Sequence, residues 1–141
     1  MTFTMKRVRQ MDQIDRQIIE LLEENSRLTN KQIGDQVHMT GQAVGSRINQ
    51  LIDSGVINHF TIRKSYQYTQ FIRIFLNGVY FDQIKQITMD FDYIEQFYKV
   101  SGEACFIVLA HFDNKELDQY LEKISNYARY TVENTIGENL V

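Results

Sequence analysis

Residues 29–57 constrain this chain more than any other stretch, because two complete helix signals sit there with only a two-residue break between them. Thr29 is a good N-cap, and Gln32 follows three residues later to complete a capping box. Ile33 and Val37 supply an apolar face at four-residue spacing. After His38-Met39, Thr40 opens a second helix as another favourable N-cap. Val44, Ile48, Leu51 and Ile52 form its inner face, and Ser54-Gly55 sets a glycine where a left-handed C-cap is wanted. The other face carries Gln42, Gly45, Ser46, Asn49 and Asp53, with Arg47 and Gln50 on its flank. Amides and arginine read base edges, and small residues let a helix sit deep in the major groove. The stretch predicts a helix-turn-helix whose second helix reads DNA.

Upstream, the spacing predicts a helix over residues 12–24, with Asp12 as N-cap and Asp15 in the first turn, where the helix dipole favours an acid. Ile14, Ile18, Leu21 and Leu22 make one stripe, and Glu20, Glu23 and Glu24 take the outside. Residues 1–11 predict an arm or frayed end whose Lys6, Arg7 and Arg9 could touch phosphates; a solvated tail is the blander and better reading. Beyond Gly55, the β-branched residues of 56–63 predict a strand, as in a winged helix-turn-helix. Residues 64–69 predict a linker.

The remaining residues predict strand, helix, strand, strand, helix, strand. Strands are expected over 71–76, 93–101, 104–112 and 130–136, and helices over 82–90 and from an Asn114 cap onward. The order βαββαβ is the ferredoxin-like arrangement. With both helices on one face of an antiparallel sheet, the other face stays open. A face rich in Tyr, Phe, Thr and Val calls for cover by another subunit. The expected class is therefore α+β: a winged helix-turn-helix domain at 1–64, then a ferredoxin-like domain at 65–141.

Composition narrows the functions. The chain has 141 residues, of which 43% are hydrophobic, a globular balance. No apolar run approaches the roughly 20 residues of a membrane helix. No secretion signal is evident, and the single Cys105 excludes a disulfide framework and a CxxC metal site. A cytoplasmic protein without metal or cofactor is expected. The net charge of −3 looks wrong for a DNA binder until it is split. Residues 1–65 hold nine basic and seven acidic side chains, and residues 66–141 hold six and eleven. The excess is modest, but its asymmetry has the right sign, and several DNA-binding halves held together would offset a weak field.

These features together resemble the leucine-responsive regulatory protein/AsnC (feast/famine) family. The resemblance is carried by Ile14-Asp15, Ile18 and Leu22, by Arg27-Leu28-Thr29-Asn30, and most strongly by Val37-His38-Met39-Thr40. Arg47-Ile48-Asn49-Gln50-Leu51, Gly55-Val56-Ile57 and Val100-Ser101-Gly102-Glu103 continue it. It implies a transcriptional regulator that binds double-stranded DNA, dimerises through its sheets, assembles into tetramers or octamers, and responds to an amino acid or similar metabolite held between C-terminal domains. Some positions depart from the family. His38 stands where glycine is usual, Gly41 and Ala43 where prolines often begin the second helix, and Cys105 where the family's turn often carries a second acid.

The DNA-contact candidates are Thr29, Thr40, Gln42, Ser46, Arg47, Asn49 and Gln50, with Arg47 expected on phosphate because it flanks the central face. An ordinary wet helix face is the competing reading for Gln42, Ser46 and Asn49. The effector candidates that the resemblance implies are Gly102, Glu103, Ala104, Cys105 and Thr135, and whether Glu103 stands in for the missing acid is left open by the sequence. Cys105 also reads as a small buried hydrophobe, and His59 and His111 as structural or surface residues. No catalytic constellation or phosphate loop occurs, so no enzyme is expected. The alternative is a metabolite-binding ferredoxin-like domain whose helical half is a protein-interaction module; the weak basic patch favours it.

Overall fold

The computed structural model describes residues 10–137 and divides into two compact units, Met1–Arg63 and Lys64–Val141. The expected phosphate-touching arm, with Lys6, Arg7 and Arg9, lies outside the described residues. No helix among the described residues is long and apolar enough to cross a membrane.

The first unit consists of α1 (Gln13–Glu24), α2 (Asn30–Val37) and α3 (Gly41–Asp53). Ile18, Ile33, Val37 and Val44 form its main enclosed cluster, Ile14, Leu21, Leu22, Leu28, Met39 and Ile48 pack around them, and Leu51 is fully enclosed as well. Each helix begins with a side-chain cap: Asp12 accepts from the Asp15 N–H, Thr29 from Gln32 and Thr40 from Ala43. The first two are reciprocal capping boxes, so four otherwise orphaned N–H groups find partners within the unit.

The wing is a correction. Residues 56–63 form no strand, although their β-branched side chains favour one. The last backbone tie to α3 is the Ile57 N–H donating to the Leu51 carbonyl at 3.0 Å. Phe60 and Ile62 lie exposed, at 53% and 77%. A strand needs a neighbour to complete its ladder, and among the described residues no second segment pairs with this one.

The second unit is a four-stranded antiparallel sheet in the order β2-β3-β1-β4. Its elements are β1 (Gln70–Leu76), α4 (Phe81–Met89), β2 (Ile94–Lys99), β3 (Phe106–Ala110), α5 (Asn114–Ile124) and β4 (Ala128–Asn134). This is the expected βαββαβ topology. Ile72 pairs with Val108 and Val132, and Ile74 with Phe106 and Tyr130, which lays one apolar row beneath the helices. Ile84 of α4 with Tyr120 and Ile124 of α5 closes over that row. The α5 cap is Asp113 rather than the expected Asn114, and Glu116 completes its capping box.

The open face carries the alternate set. Phe71 sits between Leu109 and Glu133, and Arg73 between Ile107 and Thr131. Tyr98 adds to it from β2, opposite Ile107. Phe71 is 42% and Tyr98 is 52% exposed, so large aromatic area remains uncovered in the single chain.

Candidate nucleic-acid interface and effector cleft

The turn between α2 and α3 is built from two close approaches. His38 takes a left-handed conformation (φ 58, ψ 45) and ends α2, and the next N–H, from Met39, returns to the Gly34 carbonyl at 2.9 Å. Histidine tolerates that region better than most residues, so the usual glycine is dispensable here. Gly34 is not. A Cβ at this position would overlap the Met39 carbonyl oxygen. Gly45 also differs from expectation. It is half-buried rather than on the outer face, and a Cβ there would lie 2.9 Å from Asn30 Nδ2. Its smallness lets α3 approach the start of α2; groove depth is not its role.

With Val44 and Leu51 turned inward, Gln42, Ser46, Asn49 and Gln50 lie exposed on α3. Thr29 and Thr40 are exposed as well, their hydroxyl oxygens accepting at 3.1 Å from Gln32 and Ala43. Arg47 departs from the expected phosphate contact. Its Nη1 donates to Asp12 Oδ2 at 2.6 Å and to Asp15 Oδ1 at 3.0 Å. Asp15 is fully enclosed. Hydrogen bonding to Asp12 first, and then to Asp15, pushes the guanidinium pKa above its ordinary value. Arg47 is therefore a clamp fastening α3 to the first turn of α1.

In the second unit, residues 100–105 form the turn between β2 and β3, with Gly102 at φ +130. The Val100 N–H donates to the Cys105 carbonyl, and the Cys105 N–H to the Ile74 carbonyl at 2.8 Å. A cleft of about 400 Å³ opens beside this turn, lined by Leu76, Gly78, Val79, Phe81, Phe106 and Lys99, and by Val100, Ser101, Gly102, Ala104 and Cys105. Three effector candidates, Gly102, Ala104 and Cys105, are thus brought together. Glu103 is exposed and lies off the lining, so it does not replace the missing acid there. Thr135 is also a correction. Its N–H donates to Thr69, beside the Gln70–Asn134 pair, whereas Cys105 bonds near the Ile74–Tyr130 pair. Within one copy the two lie toward opposite ends of β1.

A model of the AsnC-type helix-turn-helix domain matches residues 11–52. The HTH-type transcriptional regulator LrpA of Bacillus subtilis is 37% identical over 136 residues, covering 91% of this chain and 99% of its own length. The chain belongs to the Lrp/AsnC family of transcriptional regulators. The solved structure of B. subtilis LrpC superposes with a TM-score of 0.83 at 23% identity, covering 92% of this chain and 97% of that one. A Neisseria meningitidis transcriptional regulator solved as a complex with L-Met superposes at 0.79 and 18% identity, covering 92% of each chain.

In this Lrp/AsnC chain, sequence reasoning passed over one feature of the site. The Asp12–Asp15–Arg47 clamp spans 35 residues, and only its local half, the capping-box spacing, is visible in the sequence. His111, expected as a structural or surface residue, is structural: its ring stacks on Tyr66 at 3.4 Å with the planes 2° apart. Its Nε2 lies 2.6 Å from Glu95, and its Nδ1 lies 3.0 Å from both the Tyr68 carbonyl and Thr69 Oγ1. The pairing irregularity between Ile94 and Gln96 falls at Glu95, as a bulge that re-aims its side chain would require. His111 therefore pins residues 66–69, the second part of the expected 64–69 linker, to the end of the sheet.

Proposed function

We propose that the chain is a sequence-specific regulator of transcription that binds double-stranded DNA as an oligomer and responds to an amino acid or a related small metabolite. Residues 1–64 read DNA, residues 65–141 assemble and sense, and the work is non-enzymatic and cytoplasmic. The observation that carries this reading is the outer face of α3. There Gln42, Ser46, Asn49 and Gln50 stand exposed on a helix whose start is capped and whose seating is fixed by Arg47. Amide side chains at that spacing suit base edges, and the capped starts of α2 and α3, with Thr29 and Thr40, suit phosphate. A second copy covers the aromatic face around Phe71 and Tyr98, which supplies the paired reading heads that a weakly basic unit needs. The L-Met complex of the Neisseria protein supports the effector half, and the cleft beside Gly102 and Cys105 is the place we assign to it.

Mobility shifts against genomic fragments over a salt series test this. A discrete, salt-sensitive complex is expected, and Asn49→Ala weakens it selectively on the preferred sequence. Absence of DNA binding with and without added amino acids would sink the reading. Light scattering should give a mass of at least two copies.

A further inference from the structure

The cleft beside residues 100–105 has a sign and a texture that say more than its position. Among the described residues lining it, Lys99 alone carries a charged side chain. Its Nζ lies 5.2 Å from the centre of the Phe81 ring, so the ammonium sits over one wall. The remaining lining is apolar or small: Leu76, Val79, Phe81, Val100 and Phe106 on the walls, Ser101, Gly102 and Cys105 at the turn. Among the described residues the N–H groups of Ser101, Gly102 and Ala104 donate to no backbone carbonyl, which leaves donors beside the cation. The cleft opens at the start of α4, where Tyr80 makes no side-chain cap bond; Asp82 in that turn is exposed and off the lining.

We infer that this cleft holds an apolar-tailed carboxylate lacking an α-ammonium group, a 2-oxo acid or simple carboxylic acid, in preference to the matching α-amino acid. The inference rests on the effector reading proposed above and specifies its ligand. A carboxylate meets Lys99 and the turn donors, and a branched or aromatic tail meets the Phe81–Phe106 side, whose rings lie 5.2 Å apart. A zwitterion brings the same carboxylate together with an ammonium. That ammonium would be drawn out of water beside Lys99 with no carboxylate on the lining to receive it. Like charges in a half-enclosed site disfavour the ligand even when the rest of it fits. Dropping the amine removes that cost and leaves the favourable contacts intact.

Titration calorimetry on the full chain, with 4-methyl-2-oxopentanoate, 4-methylpentanoate and leucine as probes, tests this; phenylpyruvate against phenylalanine repeats it for an aromatic tail. Each amine-free acid is expected to bind at least tenfold more tightly than its amino acid. Lys99→Met, a change at an exposed side chain, should weaken the amine-free acids at least fivefold and leave leucine almost unchanged. Ser101→Asp, which gives an ammonium a partner on the lining, should narrow or reverse the preference. Leucine binding as tightly as 4-methyl-2-oxopentanoate overturns this inference and leaves the effector reading standing. Silence from every probe, with DNA binding intact, also overturns this inference; silence from all twenty amino acids as well overturns the effector reading with it.

Discussion

Among the described residues, five make up the enclosed apolar set of the helical unit, Ile18, Ile33, Val37, Val44 and Leu51, none of them aromatic. In the sheet unit ten do, among them Phe106, Phe112 and Tyr120, with Phe91 edge-on to both Phe112 and Tyr120. Small cores leave little margin, and the helical unit fixes its geometry by other means. Two capping boxes, a third helix cap, a glycine pressed against a carbonyl and one arginine clamp set where α3 lies relative to α1 and α2. The sheet unit has directional contacts too, at Asp113, His111 and Tyr120, but it adds them to a larger apolar core and still leaves an aromatic face uncovered. The unit whose small core leaves more of its geometry to directional contacts is the one whose proposed task depends on a helix held at a set angle. The unit held by volume is the one proposed to pack against copies of itself.

The contrast breaks most easily from the bulky side. Phe106 is 2% exposed and touches both Phe81 and Phe97. Phe106→Ala should cost the sheet unit about 3–5 kcal/mol, the usual range for emptying an aromatic site in a core. Thermal unfolding followed through the aromatic signal should show this, and the helical unit's far-UV transition should stay within a few degrees of its original position. Equal losses in both transitions would mean that the two units do not melt separately.

On the helical side the largest effect belongs to Gly34. Alanine is normally the better helix residue by about 1 kcal/mol, yet here its methyl would overlap the Met39 carbonyl, and backbone cannot swing aside as a side chain does. Gly34→Ala is expected to destabilise the helical unit by about 2–3 kcal/mol, the upper range for overpacking. A gain in helical stability would show that the turn yields. Arg47→Met comes next. It deprives the enclosed Asp15 of its guanidinium, but Arg47 is itself a quarter exposed and Asp12 half exposed. The expected loss is about 2 kcal/mol, below the 3–5 of a fully buried pair. DNA affinity should fall with an unchanged salt slope. A slope reduced by about one unit would return Arg47 to the phosphate contacts.

How far the sequence carries the fold depends on the range of the interaction. Caps lie three residues apart, so Asp12, Thr29 and Thr40 were all legible, and apolar spacing placed all five helices and the four strands of the sheet within a few residues. The wing failed for the complementary reason. Strand propensity in residues 56–63 is local, but a strand requires a partner, and no local pattern shows whether one is present. Gly45 and Arg47 were both assigned to the outer side of α3 or its flank from helical periodicity. Only the packed unit shows that Gly45 admits Asn30 and that Arg47 reaches back 32 and 35 residues to two aspartates. At the cleft, adjacency along the chain gathered Gly102, Ala104 and Cys105, but it could not reveal that Glu103 turns away and Lys99 turns in.

The smallest effect at neutral pH, and the most diagnostic away from it, belongs to Tyr120. Its hydroxyl lies 2.8 Å from Thr88 Oγ1 and joins α5 to α4 inside the core. Burial pushes its pKa up to about 12, against the lesser pull of the Thr88 bond. Tyr120→Phe leaves the Thr88 hydroxyl, 2% exposed, without that partner, for a loss of about 1 kcal/mol at pH 7. Above pH 10 the unfolded chain ionises its tyrosines while folded Tyr120 keeps its proton. The unfolded state therefore binds fewer protons, and wild-type stability falls as pH rises from 10 toward 12, by up to about 1.4 kcal/mol per unit from this residue. The variant lacks that term, and the other seven tyrosines titrate alike in both proteins. Urea unfolding at a series of pH values should show the variant less stable at pH 7 and the two curves crossing near about pH 11. Curves that stay parallel through pH 12 would mean that Tyr120 ionises in place, in a core looser than its enclosure by Phe91, Phe112 and Thr88 implies.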